Sequence, residues 1–148
     1  MGQYRILIIG ESAALRRHIN YVLSQQRFMI IEASDIDTGL KTIQEEPVYL
    51  IIVDSLFPPS SALRFLQRVR ELPGNSTVPI LLLRDEKNLL LEIEKLGIPP
   101  AASGRILTSD LDLYFLAKPF SSDAMNSIVK KIQQDSFLSS HYFSQPIA

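Results

Sequence analysis

The 148-residue chain contains no cysteine. That excludes a disulfide framework and any thiolate metal site, and it fits a cytoplasmic protein. Excess charge of either sign is missing too. With a formal net charge of −1, no global electrostatic pull directs the chain to nucleic acid or to an anionic membrane. No apolar run approaches the ~20 residues of a membrane-spanning helix. The opening Met1-Gly2-Gln3-Tyr4-Arg5 lacks the apolar core of a secretion signal. The motif G-x-G-x-x-G does not occur, which removes a dinucleotide-binding reading. Internal repeats and low-complexity segments are likewise absent. What is present is an ordinary globular composition, 46% hydrophobic and 21% charged. At this length it predicts one domain with a substantial core.

The most informative stretch is Leu50-Ile51-Ile52-Val53-Asp54, broken soon afterwards by Pro58-Pro59. An unbroken apolar run of this length predicts a strand buried on both faces, as in a parallel sheet. Asp54 then stands at the strand's carboxyl end, where open α/β sheets place their chemistry. Arg5-Ile6-Leu7-Ile8-Ile9 predicts an earlier buried strand, and Ser12 caps a helix with Leu15, Ile19, Val22 and Leu23 inward and Arg16, Arg17 and Asn20 facing out. A strand over 28–33 follows, then a helix capped by Asp35 or Asp37 that ends before Pro47. Ser60 or Ser61 opens a third helix, 78–83 forms a fourth strand, and Asp85 caps a helix reaching Leu96. A fifth strand over 113–117 and a last helix capped by Ser121 or Ser122 complete five strand–helix alternations. Such alternation predicts an α/β fold, a doubly wound parallel sheet covered by helices on both faces. The ends of the first, third, fourth and fifth strands bring Glu11, Asp54, Arg84 and Lys118 to one edge.

With these residues in place the chain resembles a response-regulator receiver domain of two-component signalling, over roughly residues 4 to 134. Asp54, with Pro58 four residues on, matches the position that accepts a phosphoryl group from a phosphohistidine. Lys118-Pro119-Phe120 matches the family's Lys-Pro-Phe, whose lysine pairs with phosphoryl oxygens and whose Lys-Pro bond is usually cis. Phe115 matches the aromatic that rotates on activation, with Tyr114 the alternative if the register slips by one. The resemblance implies a flavodoxin-like sheet of five strands in the order 2-1-3-4-5 with five helices. It also implies a non-enzymatic signalling module whose partners are a histidine kinase or phosphotransfer protein, or an output protein. The output protein would meet the face built from the fourth helix, fifth strand and fifth helix, where self-association as a homodimer is a further expectation. No nucleic-acid or membrane contact by this domain is expected. The receiver is expected over 1–134, with 135–148 as a tail or linker.

The sequence also departs from the family. The acidic pair after the first strand, which helps hold Mg²⁺, is Gly10-Glu11 here. Arg84 stands at the switch Thr/Ser position, and Ala62 replaces a usual Gly. Glu11, Asp54 and, by family position, the Leu56 carbonyl remain as metal donors. The charges of Glu11 and Asp54 against Lys118 and Arg84 sum to zero, whereas a hard dication wants a negative, oxygen-rich site. Mg²⁺ binding is therefore expected to be weak or absent, with Arg84 and Lys118 both close to Asp54 and filling the ion's volume. The segment of about 98–112 is longer than the family's connection. It is expected to be an ordered or partly helical insertion that alters the partner face.

Two readings of function stay open. One is a phosphorelay receiver with Asp54 at the acceptor position and an altered metal and switch site. The other is a pseudo-receiver that works through protein contacts without phosphorylation. A small hydrolase using Ser12 in Gly10-Glu11-Ser12-Ala13-Ala14 is a weaker third. Neither His18 nor His141 has an evident route to Ser12, and a helix cap explains that serine.

Overall fold

A computed structural model describes residues 4–54, 59–74, 77–85, 103–107 and 112–144. In chain order the elements are β1 (Tyr4–Ile9), α1 (Ala13–Ser24), β2 (Phe28–Ala33), α2 (Ile36–Glu45), β3 (Leu50–Asp54), α3 (Pro59–Glu71), β4 (Ile80–Asp85), β5 (Ser103–Leu107), β6 (Asp112–Lys118) and α4 (Ser122–Ser144). The helix expected over 86–96 lies outside the described residues.

The strands form one six-stranded sheet in the order β2-β1-β3-β4-β6-β5. The parallel part, β2-β1-β3-β4-β6, is the doubly wound arrangement expected from the sequence. One correction concerns strand number. Residues 103–107, within the stretch expected to be ordered or partly helical, form a sixth strand that pairs antiparallel with β6, Gly104 opposite Phe115 and Arg105 opposite Tyr114. At the chain's end α4 runs through residue 135 to Ser144, although the sequence there shows no clear helical period.

Alternation along the strands sorts the core into two halves. Leu7, Ile9, Ile51, Val53, Leu82 and Phe115 belong to the half facing α2 and α3. Ile6, Ile8, Leu50, Ile52, Leu83 and Tyr114 belong to the half facing α1 and α4. All five residues of β3 are buried, as a strand covered on both faces requires.

Local chemistry sets the helix starts. The Ser12 hydroxyl accepts from the Leu15 amide at 3.1 Å, the Asp35 carboxylate from Thr38 at 2.7 Å, and the Ser121 hydroxyl from Ala124 at 3.0 Å. Each satisfies a first-turn donor that the helix leaves unpaired. Between the alternatives read from sequence, Asp35 and Ser121 are the caps. Helix α3 begins at Pro59, where the missing amide costs nothing.

Candidate functional site

The carboxyl edge of the parallel strands collects the ends of β1, β3, β4 and β6. Asp54 is the last residue of β3 and Lys118 the last of β6. Among the described residues, Asp54 at 8% exposure and Arg84 at 4% are the buried charged side chains. A charge in such a place requires a partner. For Asp54 one partner is Lys118, whose Nζ donates to Oδ1 at 2.6 Å. Both residues leave their strands on the α1/α4 half, which is why they meet across the intervening β4. The Lys118–Pro119 peptide is cis.

Arg84 follows Leu83, the register partner of Asp54, and pairs in β4–β6 with Ala117. Strand alternation gives Arg84 to the α2/α3 half, with Leu82. Arg84 therefore reaches the edge from the other side of the sheet than Lys118 does. Phe115 is buried at 3% in the α2/α3 half. Tyr114 points the other way, its hydroxyl donating to Asp135 at 2.8 Å. Burial and that carboxylate push the Tyr114 phenol well above its ordinary range. Glu11 follows β1 and is exposed. Leu56 lies outside the described residues.

Gly10 has a specific role in this geometry. A Cβ on it would lie 2.9 Å from Asp54 Cβ and 3.7 Å from Oδ2. The Gly10 main chain therefore packs beside the Asp54 stem, leaving no room there for a side chain, while Lys118 holds Oδ1. In the family an acid occupies this position; here no side chain fits unless Asp54 moves. Mg²⁺ takes a near-octahedral oxygen shell. Gly10 offers no carboxylate to such a shell, Glu11 is exposed, and Lys118 engages Asp54. No group of three or more His, Asp or Glu converges among the described residues. Among the described residues this donor set is poorer than such a shell calls for.

Sequence reasoning missed one participant. Arg16 does not face out: it is partly buried, and its guanidinium donates to the Gly10 carbonyl and to Glu32 Oε1, the latter at 3.1 Å. Helical spacing gave no hint, because Arg16 sits at the border of the inward stripe and its long stem folds back over the β1 end. Ser12 is committed to its cap, and His18 stacks on Phe120 at 6.1 Å between ring centres. Neither arrangement builds a hydrolase pair. A cleft of about 460 Å³ lies at the opposite, amino edge, by Tyr4, Tyr49 and Tyr114. Its charged lining is paired internally, with Arg105 forked onto Asp112 at 2.9 and 3.0 Å.

No family model matches the chain. Relatives are found nonetheless. The phosphate regulon transcriptional regulatory protein PhoB of Escherichia coli is 28% identical over 79 residues, which is 53% of this chain and 34% of that protein. The chain thus matches about a third of that relative's length. A probable chemotaxis protein CheY of Rhizobium etli is 25% identical over 131 residues, covering 86% of this chain and 91% of its own. Among solved structures, the receiver domain of the sensor histidine kinase PA1611 from Pseudomonas aeruginosa superposes with a TM-score of 0.65. It is 17% identical, covers 88% of this chain and 97% of its own, and holds a magnesium ion in its active-site cleft.

The fold is the CheY-like, flavodoxin-type α/β fold. The relatives it matches and the solved structures it superposes on are response-regulator receiver domains, which this chain resembles in sequence and in fold.

Proposed function

We propose that the chain is a phosphorelay receiver module with Asp54 at the phosphoacceptor position and altered metal and switch positions. The observation that supports this most is the Asp54–Lys118 contact at the carboxyl edge of the sheet. In the transfer, the P–N bond of a donor phosphohistidine breaks as an Asp54 oxygen bonds to phosphorus. Lys118 supplies positive charge to the transferring oxygens, where such reactions need it most. Arg84 stands at the switch position as a buried cation, and Phe115 as the switch aromatic. The donor is a histidine kinase or phosphotransfer protein. An output protein meets the face that includes β6 and α4. The module spans 1–134, and α4 continues past it as a helical extension. Among the described residues no helix is long and apolar enough to cross a membrane, and the working place we assign is the cytoplasm.

A second reading, a pseudo-receiver acting by contacts alone, draws on the approach of Gly10 to Asp54 and on the poor metal donor set. One experiment separates the two. The protein is exposed to a small phosphodonor with and without Mg²⁺, and peptide mass spectrometry follows Asp54, with Asp54→Asn as control. Modification that vanishes in Asp54→Asn supports the relay. Its absence under both conditions rejects the relay and leaves the contact module.

A further inference from the structure

The Gly10 main chain that packs beside the Asp54 stem is held from two directions. Its amide donates to the Ala33 carbonyl at 3.0 Å, and its carbonyl accepts from the Arg16 guanidinium. Arg16 is itself fixed: Nε donates to Glu32 Oε1 at 3.1 Å, while Asn20 donates to Glu32 Oε2 at 3.2 Å. Glu32 pairs in register with Ile8 of β1, so its side chain is on the α1 half of the sheet, under the helix that carries Arg16. The result is a chain of contacts from Asn20 through Glu32, Arg16 and Gly10 to Asp54, ending on Lys118. Only a planar fork spans two acceptors in fixed relative positions; a lysine is a single charged point.

We infer that Arg16, anchored by Glu32, is a positioning residue that clamps the Gly10 backbone against Asp54 and so sets access to the carboxylate on its Oδ2 side. This rests on the reading of Asp54 as the reactive group but is tested separately from it. Release of the clamp lets the β1–α1 connection move away from the Oδ2 side of Asp54. On that side the resting site is bordered by main chain, and that border is latched by a side chain outside the acceptor cluster.

The test is carboxylate labelling with a water-soluble carbodiimide and an amine, read at each acid by peptide mass spectrometry. Hydrogen exchange of the Gly10 amide is measured in parallel. Release of the latch in Arg16→Met is expected to raise Asp54 labelling and Gly10 exchange on the order of tenfold, a local opening energy change well below global unfolding. Exposed Glu11 serves as the unchanged reference. Glu32→Ala is expected to give the same direction, and the double variant no more than Arg16→Met alone, since both act through one clamp. If Arg16→Met does not fold, Arg16→Lys carries the comparison, because it keeps the charge and loses the fork. Unchanged Asp54 labelling in folded Arg16→Met or Arg16→Lys overturns the clamp, as does additivity in the double variant. Failure of the phosphodonor to modify Asp54 in any variant overturns the relay reading alone and leaves this labelling comparison intact.

Discussion

Asp54 and Lys118 form a contact whose removal from one side is costlier than its removal from both. Lys118→Met takes a cation from a carboxylate that is nine-tenths buried. Breaking a buried pair this way costs about 3 kcal/mol. Asp54→Asn in addition to Lys118→Met removes the charge left behind, so the double variant is expected to recover about 1–2 kcal/mol of that loss. Urea unfolding of the four proteins in the cycle checks this, and additive losses would show the two groups to be energetically independent. Gly10→Ala belongs at the same scale. Its new methyl meets Asp54 Cβ at 2.9 Å, and overpacking of this kind costs about 1–3 kcal/mol. A crystal structure of that variant should show Asp54 displaced, with a longer Lys118 contact. These residues show what a sequence conveys of a site. Asp54 and Lys118 were readable because each ends an apolar run, and run ends are where a buried sheet presents chemistry. The Gly10 contact and the Arg16 latch were not readable. They depend on how closely the β1 and β3 ends approach and on where a flexible stem bends, neither of which leaves a periodic trace.

At the scale of elements, the parallel strands and the first three helices were legible for one reason: buried runs and capped amphipathic stretches impose local patterns strong enough to read. Strand β5 imposes none. Ser-Gly-Arg-Ile-Leu contains two aliphatic residues, of which Ile106 is buried and Leu107 is 63% exposed. Its conformation comes from β6, whose outer edge supplies the pairing. Gly104 is the close point of that pairing, with φ +156° and a would-be Cβ 3.4 Å from the Phe115 ring. Gly104→Val is expected to destabilise by about 1–2 kcal/mol through backbone strain and crowding. Near-ultraviolet circular dichroism should report a disturbed aromatic environment; an unaltered spectrum and midpoint would show that β5 does not pack on Phe115. Helix α2 offers a pH handle. Hydrogen bonds from Thr38 hold the Asp35 carboxyl below its ordinary range. A depressed acid stabilises the fold above its unfolded pKa, and that contribution is lost as pH falls through the folded value. Asp35→Ala should therefore differ most from wild type near neutrality and converge with it in acid, measured as denaturant midpoints from pH 2 to 7.

For the whole molecule, the alkaline limit of stability is expected to follow the phenols that the fold draws out of water. Burial pushes Tyr4 up to about 12, and its hydroxyl donates to the Tyr49 carbonyl at 3.3 Å. A raised folded-state value means full stabilisation below the unfolded pKa, near 10, and progressive loss as pH climbs towards 12. Tyr4→Phe should flatten that part of the profile, leaving the decline due to Tyr114. Midpoints that fall equally in both proteins would show Tyr4 ionisation to be uncoupled from folding.

The sixth strand also changes what the sheet presents to other chains. Without it, β6 would be the outer strand, and Leu113 to Ala117 are five consecutive buried residues. An apolar outer strand with a free row of amides and carbonyls is a template for fibril-like stacking. With β5 in place the border passes to a five-residue strand bearing serine, glycine and an ion-paired arginine, a poor template for growth. Seen this way, the added segment guards colloidal stability, and a chain trimmed of residues 99–109 should scatter light and bind amyloid dyes at concentrations where the intact protein stays clear.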